Sequence, residues 1–411
     1  MKKYKNILKL SPIFKLSLVI SVLLISIVEM VSGAYYGWLI YFYCVGAFVI
    51  INLNFYKRGA MGLILVLIGV LLYVFPYLAE IYIGSQILSI FFALYICINY
   101  FLLVAYRSPE FDSGPVYVHK YYYIWIYFFL LISLVSSFFW MPVFLAAYGI
   151  ALYHFDFFCR GYNVNRTTVW AALLAFFIVI LVYMLFVWSG FGRILMLSYL
   201  LLPCMVLVQH KFVVVRWHIL APIVPLALLV NGWIRGMQEF DVTAVAGRSA
   251  SHHLVLMNEF LNTKETFVNS PLMLLEQFVL LVTNWMPRAL WPSKPIGAGS
   301  SAVDIYYGRQ AFSESYSVSL GLWGEHILWL PSAWLFSGFA SLFIVFALLR
   351  VLLRISKGNY AAYLCYLVSL ISFFWGGMAS FGSRVWFLVI PIFIYMGLVR
   401  MLRPKNLQLN F

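Results

Sequence analysis

Residues 168–189 read "TVWAALLAFFIVILVYMLFVWS", twenty-two residues without a single charge. About 20 apolar residues suffice for a helix to cross the hydrocarbon core of a bilayer, so this stretch reads as a membrane span. Runs of similar length and character recur near 14–32, 35–55, 60–79, 86–105, 121–140, 142–158, 193–209, 213–231, 326–349, 360–378 and 385–402. Together they predict an all-α polytopic membrane protein with about twelve transmembrane helices. The composition agrees, with 64% hydrophobic and only 10% charged residues in 411, far outside the range of a soluble domain.

The formal charge of +14 is compatible in principle with nucleic-acid binding, but the cations fall between apolar runs and not along one polar face. They read as loop charges that orient the spans, and no nucleic-acid partner is expected. With the N-terminus cytoplasmic, nineteen of the 27 Lys and Arg fall on the inner side and eight on the outer. This distribution predicts both termini inside. It requires a hairpin split at Trp140-Met141-Pro142 and an apolar stretch 271–286 that does not cross. The N-terminal "MKKYKNILKLSPIFK" is basic and lacks a small-residue cleavage site, as expected of a retained cytoplasmic anchor. The five cysteines lie in or at the ends of apolar runs and show neither CxxC spacing nor a loop disulfide pair.

One connection differs from the rest. Residues 232–325, between an N-terminal set of spans in 1–231 and a C-terminal set in 326–411, hold eight of the thirteen acids and six cations. A segment this long and this mixed in charge is expected to fold on the outer face. Within it Ser270-Pro271 has the form of a helix start, an N-cap followed by proline, for an interfacial helix over 271–286 that Pro287 stops. The exit, "NWMPRALWPSKP" at 284–295, crowds two cations, three prolines and two tryptophans. Trp285 and Trp291 read as headgroup-level anchors.

Cations retained on the outer side need a reason, because that side is depleted of them. Arg193 follows "WSGFG" and Arg384 follows "SFGS", each in a very short turn without a nearby acid. With Arg288, Lys294, Arg235 and Arg248 they are candidates for an outward-facing anion site. Arginine suits a diphosphate because its planar fork binds oxyanions bidentately and never loses its charge. Candidates for acid–base work are Glu325 and His326 in "LGLWGEHILW", His252 and His253, and the carboxylates Glu239, Asp241 and Asp304. Glu239-Phe240-Asp241 has carboxylate spacing without an accompanying His/Cys ligand set, and nucleotide-binding fingerprints are absent. No metal or cofactor is therefore expected.

The pattern resembles the bacterial oligosaccharide repeat-unit polymerases of the Wzy, or O-antigen polymerase, type. The shared features are the number of spans, the long periplasmic loop in the C-terminal half, "MPRALWPSKP" at 286–295 and "GLWGE" at 321–325. Arg288 and Gly299 also fit an Arg-x10-Gly spacing; no second copy occurs in the earlier outer loops, where Cys204 stands at the matching place after Arg193. The resemblance implies a GT-C-like, metal-independent glycosyltransferase in the bacterial inner membrane that makes surface polysaccharide such as that of lipopolysaccharide. It implies undecaprenyl-diphosphate-linked oligosaccharides as donor and acceptor, with membrane lipids, a chain-length regulator and a flippase as partners. On this reading Arg288, Glu325, His326 and His253 are the catalytic candidates. Two rivals remain: a glycolipid ligase, sharing fold and donor, and a lipid-linked oligosaccharide flippase. A transporter is expected to show repeated halves, midplane cations and short outer loops; here the outer loop is long and no cation sits mid-span.

Overall fold

The apolar run that opened the sequence is the helix Arg166–Phe186, and its surface explains what surrounds it. Val169, Ala172, Leu173, Phe176, Val179, Ile180 and Tyr183 are buried against neighbouring helices. Trp170, Leu174, Ile178, Leu181 and Leu185 form an exposed stripe at helical spacing on the other side. A helix that is apolar on every face has hydrocarbon, not water, as its solvent. The computed structural model to which it belongs describes residues 11–32, 37–74, 87–105, 118, 121–161, 164–187, 193–220, 270–306, 319–356 and 359–402.

All regular elements among the described residues are helical. In chain order they are α1 (Pro12–Ser32), α2 (Gly37–Ile51), α3 (Gly59–Gly69, extended by a π-helical turn Val70–Val74), α4 (Ile87–Ala105), α5 (Tyr123–Ser137), α6 (Met141–Cys159), α7 (Arg166–Phe186) and α8 (Arg193–Gln209). After the residues around 221–269 follow α9 (Pro271–Thr283), α10 (Ala298–Tyr306), α11 (Gly321–Trp329), α12 (Trp334–Ile355) and α13 (Ala361–Leu402). Among the described residues six helical stretches are long and apolar enough to cross a membrane, and five shorter helices are apolar as well. The chain is thus a polytopic helical membrane protein.

The described helices fall into two compact units, one within 1–108 and 215–262, the other within 109–214 and 263–411. In the first, Tyr95 stacks on Tyr73 at 4.4 Å and donates its hydroxyl to the Leu65 carbonyl. Trp217 donates Nε1–H to the Asn52 carbonyl at 3.2 Å while its ring meets Phe55 edge-on.

The second unit is organised around α6. The split expected at Trp140-Met141-Pro142 is present: α5 ends at Ser137, Trp140 is extended, and proline stands in the first turn of α6. The two helices then run antiparallel, with Phe129 stacked on His154 and Ser133 Oγ donating to the Phe144 carbonyl at 3.1 Å. At the far end of α6 the buried Asp156 accepts from Arg160 (3.0 Å), His210 (2.8 Å) and the Tyr360 backbone N–H (2.9 Å). One carboxylate thereby pins the ends of α6 and α8 to the start of α13. Two residues before Asp156, both ring nitrogens of His154 lie 2.8 Å from tyrosine hydroxyls, those of Tyr122 and Tyr395.

α13 folds back on itself. Tyr366 and Trp386 would be about 30 Å apart along a straight helix, yet their rings meet at 6.3 Å, and Phe373 meets Phe381. The turn is Gly377, at φ +78 and ψ −168, a region essentially reserved for glycine. The two limbs, 361–376 and 378–402, carry the apolar runs expected over 360–378 and 385–402, but the short turn expected at Arg384 is helical, because the chain reverses seven residues earlier at Gly377. Against the second limb lies α9, too short at 13 residues, about 20 Å, to cross the core. Gly382 permits that approach: a Cβ there would stand 2.6 Å from the Leu281 carbonyl oxygen.

Two expectations are corrected. Helix 326–349 is broken: α11 ends at Trp329, Pro331 follows, and the long helix starts only at Trp334. Proline lacks the N–H that would continue the ladder and collides with the preceding turn. The boundary drawn between 325 and 326 therefore falls inside α11. Ser270 does not cap α9 with its side chain; its N–H donates instead to the Trp329 carbonyl at 3.0 Å.

A Cβ at residue 377 would also collide with the Glu325 carboxyl, whose Cδ lies 2.7 Å away. Gly377→Ala should therefore destabilise the protein by about 1–3 kcal/mol or more, from backbone strain alone. A thermal-unfolding midpoint in detergent equal to that of the wild type would show that the bend is not as described.

Candidate functional site

The second limb of α13 brings Arg384 to the end of the unit where α6 begins. Its Nη1 donates to Ser380 Oγ at 2.8 Å, one turn back, and to Ser372 Oγ at 3.2 Å across the hairpin. No carboxylate lies within ion-pair distance of it among the described residues, whose ion pairs are those of Asp156. An arginine inside an apolar bundle that is held but not neutralised is costly, and such residues mark functional sites.

Arg384 lines a cavity of about 300 Å³ with Ser383 and Phe387 of the same limb, Met141, Pro142 and Leu145 of α6, and Tyr199 of α8. Tyr199 is 1% exposed and rests against Phe144 and Tyr148, and its backbone carbonyl accepts the Tyr148 hydroxyl at 2.8 Å. Its own hydroxyl is buried without a hydrogen-bond partner. Ser383 is already committed, donating to the Ser380 carbonyl at 3.0 Å. The cavity thus sets one arginine between apolar walls, with the unused hydroxyl of a lining tyrosine buried in the packing beside it.

The motif at 284–295 is a knot of cations on carbonyls. Lys294 Nζ donates to the Asn284 and Met286 carbonyls at 2.7 and 2.9 Å, closing the C-terminal end of α9, where the helix dipole favours a cation. Arg288, which is exposed, donates Nη1 to the Lys294 carbonyl (2.7 Å) and Nη2 to that of Pro295 (3.2 Å). Each cation holds the backbone that carries or precedes the other. Burial, and then the neighbouring Arg288 charge, hold the Lys294 pKa below its ordinary value. The knot is docked beside the α13 bend by Asn284 Nδ2 donating to the Ala379 carbonyl at 2.6 Å, while Gln277 bridges Ile296 and Ala298. Arg288 and Arg384 are thus both anchored at the bend, the former through the loop held at residue 379, the latter through Ser380.

Glu325 and His326 point to different partners. Glu325 Oε2 accepts the Met378 N–H at 2.7 Å, so its carboxyl closes the start of the second limb. His326 faces α12, with Nε2 3.0 Å from Ser341 Oγ and Nδ1 buried without a partner. Both are sealed, at 1% and 0% exposure, and neither lines the Arg384 cavity. Arg193 opens α8, and Asp304 is an exposed residue of α10. Arg235, Glu239, Asp241, Arg248, His252 and His253 lie outside the described residues, as does the side chain of Arg193.

Sequence reasoning singled out Arg384 but missed the groups that make it a site. Ser380, four residues earlier on the same helical face, was discoverable from spacing. Ser372 and Tyr199 carried no such signal, because a fold-back and a separate helix bring them in. No family model, curated protein or solved structure matches this chain. Its functional reading therefore rests on the chemistry of this site.

The Glu325 carboxyl, in a nine-residue helix outside the six long spans, is pushed up by burial to about 8, with the Met378 and Ala379 N–H groups pulling the other way. The folded protein thus keeps this proton where the unfolded chain, titrating near the ordinary 4.5, releases it. Stability should fall as pH rises from about 5 to about 8 and level off above. Glu325→Gln, which keeps an acceptor oxygen for the Met378 N–H, should flatten this dependence in detergent unfolding midpoints. An unchanged pH slope in that variant would remove Glu325 as its origin.

Proposed function

We propose that this chain is a glycosyltransferase that polymerises undecaprenyl-diphosphate-linked oligosaccharide units at the outer face of the bacterial inner membrane. The observation that carries the reading is Arg384: a guanidinium fixed by two serine hydroxyls, with no carboxylate paired to it among the described residues, in a small cavity at one end of the bundle. Chemistry that expels a lipid diphosphate needs such a group, because negative charge grows on the leaving oxygen as its bond to the anomeric carbon breaks.

In that reaction the acceptor hydroxyl oxygen bonds to the donor's anomeric carbon. The bond from that carbon to the diphosphate breaks, and undecaprenyl diphosphate leaves with the electron pair. The hydroxyl proton passes to a base. Arg384 stabilises the departing diphosphate, and the apolar walls of Met141, Pro142, Leu145 and Phe387 strengthen that attraction by keeping the local dielectric low. Serines suit the task better than a carboxylate would, since they hold the fork without cancelling its charge. With Glu325 and His326 sealed in helix contacts, His253 and its neighbour His252 are the remaining histidine candidates for the base. Arg288 contributes by stiffening the loop at the bend, and its unspent N–H donors extend the cationic surface there.

Removing a preorganised donor to developing charge costs about 10²-fold or more in turnover. Arg384→Gln should lower polymer formation by that factor at matched expression, and Arg384→Lys should restore only part, lacking the planar fork. The measurement is glycan laddering in a strain that lacks the chromosomal copy. Normal ladders from Arg384→Gln would overturn the assignment. A ligase would need Arg384 equally but would transfer a finished glycan to another lipid, so ladder length, beyond donor consumption, is the decisive readout.

A further inference from the structure

One of the residues that line the Arg384 cavity carries a polar group whose presence the fold does not explain among the described residues. Tyr199 buries its hydroxyl without a hydrogen-bond partner, although a buried polar atom left unpaired is a cost that native structures rarely retain without a use. The ring is well accounted for by Phe144 and Tyr148, and a phenylalanine would pack there equally. Only the oxygen is unexplained.

The other lining groups restrict what that oxygen can serve. The side chains of Met141, Pro142, Leu145 and Phe387 offer no donors, and the Ser383 hydroxyl is spent on the Ser380 carbonyl. Arg384 commits Nη1 to its two serines, which leaves Nη2 and Nε, the pair of donors with which arginine grips an oxyanion bidentately. A phenol is mainly a donor toward an anion, and a phenol beside a guanidinium in an apolar cavity is a matched pair for one tetrahedral oxyanion. A volume of about 300 Å³ stands at the low end of ligand pockets, enough for a headgroup but not for an oligosaccharide.

We propose that Tyr199 is the second hydrogen-bond donor of a phosphoryl-oxyanion site headed by Arg384, one that takes a diphosphate-bearing headgroup and leaves the sugars outside. This rests on the reading of the cavity as the diphosphate end of the substrate. Tyr199 donates a hydrogen bond to a non-bridging phosphoryl oxygen and keeps its proton, while Arg384 supplies the charge.

The test is equilibrium binding of radiolabelled polyprenyl diphosphate to the full-length protein in nanodiscs of zwitterionic lipid. The proteins compared are the wild type, Tyr199→Phe and Arg384→Gln. A hydrogen bond to a charged group corresponds to a factor of about 10–100 in affinity, so Tyr199→Phe should bind that much more weakly. Its thermal-unfolding midpoint should equal or exceed that of the wild type, because the substitution removes an unsatisfied buried hydroxyl. Displacement of the label by unlabelled polyprenyl diphosphate alone would identify a lipid headgroup site, and displacement by inorganic diphosphate as well a site for the phosphoryl group itself; either supports the proposal. Displacement by phosphatidylglycerol at equal concentration would overturn it, since the cavity would then hold bulk lipid. Wild-type affinity in Tyr199→Phe with binding lost in Arg384→Gln would remove Tyr199 and leave the cavity reading standing. Wild-type affinity in Arg384→Gln would defeat both. A lowered unfolding midpoint in Tyr199→Phe would show that the hydroxyl has a structural use and likewise overturn the inference.

Discussion

Where α13 turns back on itself, the Glu325 carboxyl receives the Met378 N–H and occupies the space that a side chain at Gly377 would need. Much of the second unit depends on this contact. Residues 372 and 384 would stand about 18 Å apart on a straight helix. The bend instead lets Ser372 and Ser380 hold one guanidinium from both limbs, and it presents Gly382 and Trp386 to α9. The acid is buried because it replaces the missing preceding turn of the second limb, whose first N–H groups have no partners within their own helix. A carboxyl that titrates near 8 can do this at low cost, being largely protonated in the folded protein at neutral pH.

The two ends of the second unit treat cations in opposite ways. Arg160 meets Asp156, whose carboxylate also takes His210 and a backbone N–H, so charge there is compensated and the cluster acts as a clasp. Among the described residues, Arg384 meets hydroxyls only. An ion pair would have been the simpler way to stabilise a cation between apolar helices, and it would have abolished the attraction for an incoming anion. The serines orient the guanidinium while leaving its field intact. Tyr199, on a third element, completes a cavity in which polar groups are few and nearly all else is hydrocarbon.

Around this site the proline-rich exit of α9 supplies stiffness. The carbonyls left without partners at the end of a helix attract cations, and Lys294 answers them from ten residues downstream. Arg288 then ties the backbone at 294 and 295. The crowding of cations, prolines and tryptophans in twelve residues has a structural meaning before it has any chemical one: it holds a short loop in one shape beside the bend.

Apolar runs such as 168–189, the turn at Trp140-Met141-Pro142 and the proline that opens α9 follow from local rules, and each is visible in a window of about twenty residues. Hydrophobic length and proline chemistry depend on neighbours along the chain alone. The break at Pro331 obeys the same local chemistry, but uniform apolarity on both sides concealed it, because periodicity cannot mark a boundary between two helices that are apolar on nearly every face. Arg384 stood out as a cation without an acid nearby in sequence; that no acid approaches it in space, among the described residues, is a tertiary fact. The pairing of Arg384 with Ser372, the placing of Tyr199 beside it, and the divergence of Glu325 from His326 all arise from a reversal at one glycine and from helix packing. A sequence lays residues along a line, while a site is made of distances, and in a bundle those distances are set by which helices meet and at what height.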